Sequence, residues 1–75
     1  SSVVEHLEYE KSETAKTYVE LKATNGMLFI DVRKWFKRKD SPDFRADRKG
    51  IMLDLKDWSI ILPMIQKLIA SNLKT

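Results

Sequence analysis

The chain has 75 residues, no cysteine, a single histidine and a formal net charge of +3. That length allows one small domain with a modest core, the kind that often gains stability by associating. The composition excludes a disulfide framework and a thiolate metal site, and no apolar run is long enough to span a membrane or serve as a secretory signal.

Charge is unevenly spread. The first fifteen residues set Glu5, Glu8, Glu10 and Glu13 against Lys11. Between Arg33 and Lys49, eight basic residues (Arg33, Lys34, Lys37, Arg38, Lys39, Arg45, Arg48, Lys49) face Asp40, Asp43 and Asp47. A basic block of this kind suits a polyanion, or else forms a solvated loop. Residues 1–13 read as an acidic N-terminal arm, with Val3, Val4 and Leu7 forming the apolar patch of a short helix and a break at Ser12-Glu13. The chain starts at Ser1 without Met, as a fragment of a longer protein would. His6 has no ligand-type neighbour that would make it part of a metal site or a triad, so it reads as a surface residue.

The stretch Tyr18–Phe36 organises the rest of the chain, a domain expected over 14–75. Asn25-Gly26 sits between two runs of strand-forming residues, and both central positions of a type I′ turn need positive φ, which Asn tolerates and Gly accepts freely. The pattern predicts one strand from about Thr14 to Thr24 and a second from Met27 to Phe36 or Lys37. Alternation puts Val19 and Leu21 on one face, and likewise Leu28, Ile30 and Val32. Tyr18, Glu20, Lys22, Phe29, Asp31, Arg33 and Trp35 fall on opposite faces from these, mixing aromatics with charges. Trp35 and Phe36 are adjacent in a strand and cannot enter the same core.

Asp40-Ser41-Pro42-Asp43 predicts a turn. Phe44-Arg45 predicts a short third strand and Arg48–Leu53 a fourth, with Gly50 at a bend, a bulge or a close backbone approach. Asp54 is a good N-cap, and Asp57 complements the helix dipole. A helix is expected from about Leu55 to Ser71, with Pro63 kinking it or opening a second helix. Its apolar arc exceeds the ~100° stripe that a single packed face needs, so it is expected to pack on its own sheet and on a second copy. Ile60, Met64 and Leu68 are the interface candidates, and Trp58 reads as core.

The order of β-hairpin, basic loop, strands and helix resembles the positive cofactor 4 family of single-stranded-DNA-binding transcriptional coactivators. The resemblance runs from about Lys16 to Lys74. It rests on Tyr18-Val19, Gly26, Ile30-Asp31-Val32-Arg33 followed by two aromatics, Arg48-Lys49-Gly50-Ile51, Leu53 and Trp58. It implies an α+β fold, a four-stranded antiparallel curved sheet followed by one C-terminal helix (ββββα), paired into a homodimer through the helices. It also implies grooves for unpaired strands, with Phe36 stacking on a base and Lys16, Lys22, Arg33, Arg45, Arg48 and Lys49 on or near the strand path. Better-known members carry an aromatic at the place of Thr24 and a lysine at the place of Met27, and here Glu20 shares a face with Lys22.

The residues themselves interleave cations and flat side chains at the end of the second strand, through Arg33, Trp35, Phe36, Lys37 and Arg38, which is what single-strand binding needs. The expected partner is therefore single-stranded DNA, with RNA or melted duplex as alternatives, and transcription-machinery proteins as further partners. The competing reading is a module that docks an acidic protein through its basic loop. An enzyme is disfavoured, because there is no phosphate-cradling glycine loop, no nucleophile constellation and no metal cluster, and no cofactor is expected. Location follows the role, nuclear in a eukaryote and otherwise cytoplasmic.

Overall fold

The computed structural model describes residues 1–73; the last two residues of the expected domain lie outside them. Four antiparallel strands form one open sheet in sequential order, β1 (Ser2–Ser12), β2 (Ala15–Thr24), β3 (Met27–Phe36) and β4 (Arg45–Asp54), followed by helix α1 (Leu55–Asn72). The expected order of four antiparallel strands and one C-terminal helix is thus observed.

The β2–β3 hairpin forms as its turn chemistry dictates. Asn25 and Gly26 both hold positive φ, at 50° and 79°, and Thr24 pairs with Met27 beside them. The register then sorts side chains into rows that cross the sheet. Leu7, Val19, Val32 and Ile51 make an apolar row through all four strands, with Leu21, Ile30 and Leu53 in the next row. On the other face the rows are His6-Glu20-Asp31-Met52, Glu8-Tyr18-Arg33-Gly50 and Glu10-Lys16-Trp35-Ala46.

Two sequence expectations are corrected. Residues 2–12, expected to contain a helical patch, are an edge strand paired with β2. Alternating Leu7 and Tyr9 against His6, Glu8 and Glu10 is a period of two, and β2 supplies the partner that the segment alone did not reveal. The expected third and fourth strands are one strand, β4, with Phe44 outside it. They merge across a bulge in which Asp47, Arg48 and Lys49 stand opposite Lys34 alone, between the pairs Arg33–Gly50 and Trp35–Ala46. Such an insertion bends and twists a strand while leaving its pairing intact on both sides.

Helix α1 starts as expected. Asp54 adopts extended backbone, and its carboxylate accepts a hydrogen bond from the Asp57 amide at 2.8 Å. The helix runs continuously through Pro63, so the two-helix alternative does not hold. Trp58 is its one anchor among the described residues, 7% exposed, with the indole Nε1–H donating to the Ile30 carbonyl at 2.8 Å. From Leu62 onward every described residue of the helix is exposed, although Leu62, Met64, Ile65, Leu68 and Ile69 are apolar.

Candidate nucleic-acid interface

The polar sheet face is laced by ion pairs. Lys16 Nζ lies 3.1 Å from Glu8 and 3.7 Å from Glu10. His6 reaches Glu8 through Nε2 at 2.9 Å and Glu20 through Nδ1 at 2.7 Å. Lys22 Nζ bonds Asp31 at 2.7 Å and lies 4.0 Å from Glu20. Asp31 is 3% exposed and also accepts from Arg33 Nε at 3.5 Å. The Arg33 guanidinium then donates through Nη1 to the carbonyls of Asp47 and Arg48, at 2.9 and 2.8 Å.

These contacts set the local electrostatics. Hydrogen bonds to Glu8 and then Glu20 raise the pKa of His6 above its ordinary value. Both ring nitrogens face carboxylates, and only the imidazolium donates to both. Hydrogen bonds from His6 and Lys16 lower the pKa of Glu8, and the bond to Glu8 raises that of Lys16. Aromatic rings run through the same face: Tyr18 stacks on Trp35 with centroids 4.7 Å apart and meets His6 edge-on at 4.5 Å.

Arg33 explains both Gly50 and the bulge. Its guanidinium lies so close over Gly50 that a Cβ there would fall 2.5 to 2.8 Å from it. A side chain at that position would have to displace the group that satisfies the bulge carbonyls. The sequence expectation of a close approach at Gly50 is met by a side chain rather than by backbone.

The nine candidate binding residues therefore divide. Lys16, Lys22 and Arg33 are held in the internal network. Lys37 donates to the Ser41 carbonyl at 3.1 Å and lies 5.8 Å from the Phe44 ring centroid. Arg38, Arg45, Arg48 and Lys49 are exposed, and their side chains make no hydrogen bond or ion pair among the described residues. Phe36 is 46% exposed and stands cross-strand from Arg45 at the mouth of the β3–β4 loop. The bulge thus presents Arg48 and Lys49 at the sheet edge, on the side of the basic loop. Trp35, its neighbour, is the aromatic that packs.

Sequence reasoning missed Phe44. Its ring lies under Lys16 Nζ at 4.6 Å, which joins the end of the ion-pair network to the loop. The signal was Phe44 alone between charged residues in a turn-rich stretch, where an isolated aromatic needs a partner. Ile60, Met64 and Leu68 are all exposed on α1.

No family model matches the chain, and no curated protein matches it. Solved structures do. A PC4 homologue from Burkholderia pseudomallei is similar over 95% of this chain and 89% of its own, at 22% identity and a TM-score of 0.66. The bacteriophage T5 homologue of the eukaryotic transcription coactivator PC4, implicated in recombination-dependent DNA replication, is similar over 89% of this chain and 77% of its own, at 12% identity and a TM-score of 0.69. MoSub1, solved in complex with DNA, is similar over 100% of this chain and 97% of its own, at 20% identity and a TM-score of 0.58. The chain has the fold of the PC4 homologues, as its motifs implied.

Proposed function

We propose that this chain is a single-stranded DNA-binding domain that works as a homodimer in transcription regulation. The observation that carries the reading is the cluster at one end of the sheet. Exposed Arg38 and Arg45 line one concavity with the half-exposed ring of Phe36, and exposed Arg48 and Lys49 stand at the neighbouring bulge of β4. Cations follow phosphates and an aromatic face accepts a base. Structures of MoSub1 with DNA and with single-stranded DNA, on the same fold, support the choice of ligand. The ion pairs on the polar face favour the loop end as the grip, since Lys16, Lys22 and Arg33 would have to leave carboxylates or carbonyls to reach phosphate.

The dimer is supported by the uncovered apolar surface. Every described residue of the distal half of α1 is exposed, Leu62, Met64, Ile65, Leu68 and Ile69 among them, and the sheet's apolar row ends in exposed Leu7 and Ile51. Single soluble domains rarely leave so much contiguous apolar surface open. A second copy placed through Ile60, Met64 and Leu68 covers it. The role as a coactivator, with transcription-machinery partners and a nuclear location in a eukaryote or a cytoplasmic one otherwise, follows the PC4 likeness. Titration of labelled single strand, duplex and RNA at one salt concentration tests the reading. Tighter binding of the single strand is expected. Equal affinity for duplex, or no binding to any of the three, would overturn it.

A further inference from the structure

The β3–β4 loop encloses a concave pocket whose lining is not that of a phosphate cradle. Phe36 stands on one side, and the lining carries three cations (Lys37, Arg38, Arg45) and three carboxylates (Asp40, Asp43, Asp47). The net charge of that lining is zero, so a phosphate would meet as many repelling as attracting groups. A flat, neutral, donor-rich group fits better, with its face on Phe36 and its edge on the carboxylates. Asp47 Oδ1 is already taken by the Lys49 amide at 3.0 Å. The carboxylates of Asp40 and Asp43 are exposed and accept no hydrogen bond among the described residues.

We propose that this pocket takes one extruded nucleobase and prefers guanine, a specificity that rests on the single-strand reading above. The preference follows from edge chemistry. Guanine offers adjacent N1–H and N2–H donors, which match the two oxygens of one carboxylate. Adenine and cytosine offer one amino donor beside an acceptor. Thymine presents a single N–H between two carbonyl oxygens, both of which a carboxylate repels. Arg38 and Arg45 supply the donors that guanine O6 and N7 accept. Phosphates on either side of the base fall to Arg48, Lys49 and Lys39, outside the pocket.

The test uses an oligothymidine of about 12 nucleotides, within the ~4–16 typical of such grooves. Versions carry one central dG, deoxyinosine, dA, dC or no substitution, read by fluorescence anisotropy. The single dG should tighten binding about fivefold or more over all-dT, as a two-bond base contact does. Deoxyinosine, lacking the N2 amino group, should lose most of that gain. Asp40→Asn with Asp43→Asn should raise affinity for the all-dT probe by removing negative charge, yet erase the ratio of dG to dT. Circular dichroism melts should stay at the wild-type value, since both side chains are exposed. Equal affinity for the dG and dT probes, or a dG advantage unchanged in the double variant, overturns the proposal while single-strand binding stands. Failure to bind any probe overturns both.

Discussion

Replacing Phe36 with Ala separates a binding residue from a packing residue. Roughly half of the side chain is covered, and a fully buried Phe removes ~3–5 kcal/mol when truncated. Its truncation should therefore cost about 1.5–2.5 kcal/mol of stability, a fall in Tm of ~6–20 °C in a domain this small. A base stacked on the ring contributes about 1–3 kcal/mol, so single-strand affinity should fall roughly 5- to 150-fold. Trp58→Ala is the control, because Trp58 is 7% exposed and hydrogen-bonded to Ile30. It should lose ~3–5 kcal/mol, with the Ile30 carbonyl losing a donor. Thermal melts and anisotropy titrations, at one protein concentration, read both quantities for both variants. A Phe36→Ala protein that binds single strands as wild type does, or melts as low as Trp58→Ala, refutes the assignment.

Met64→Glu or Leu68→Glu should dissociate the dimer, since each places a charge on the exposed apolar half of α1; light scattering reading a wild-type monomer at micromolar concentration would refute the dimer itself. Binding should weaken with salt by about −0.7 in log–log slope per phosphate neutralised, and Lys49→Ala or Arg48→Ala should flatten that slope by somewhat under one unit; a salt-independent affinity would point to a protein partner. His6 should titrate above its ordinary value, because Glu8 and Glu20 hold its proton. Its raised folded pKa means that its contribution to stability is complete below the unfolded value of about 6.5 and is lost as pH rises through the folded pKa. The contribution of Glu8, whose pKa is lowered, is present above the ordinary carboxylate range and lost as pH falls through its folded value. Wild type should therefore exceed His6→Gln in Tm most near pH ~5–6, and an NMR titration of His6 with a midpoint at or below the ordinary value would contradict this.

How much was legible in the sequence depended on whether a signal was local. Asn25-Gly26 and Asp54 state their own backbone needs, so the hairpin and the helix start were readable from a few residues. The residue patterns and the resemblance both gave four strands, but not which residues make them up. β1 was missed because an edge strand with one polar face looks like a short amphipathic segment until its partner is known. The split of β4 was an error of the same kind: Asp47–Lys49 break the alternation, and only the register against Lys34 shows that they form a bulge rather than a gap. The division of the cations was not legible at all. Nothing in the order of residues says that Lys22 meets Asp31, or that Arg33 spans two carbonyls fourteen and fifteen positions away. Phe36 and Arg45, by contrast, were readable as candidates because a strand end next to a basic loop places both at the surface.

Whether unpaired DNA is gripped at the loop and bulge end of the sheet, rather than along the ion-paired face, is decided by amide chemical-shift mapping with an added single strand. The largest changes should fall on Phe36, Arg38, Arg45, Arg48 and Lys49, while the amides of His6, Glu8, Glu20 and Lys22 move little. Changes concentrated on His6, Glu20 and Lys22, with the loop unmoved, would contradict a grip at the loop end.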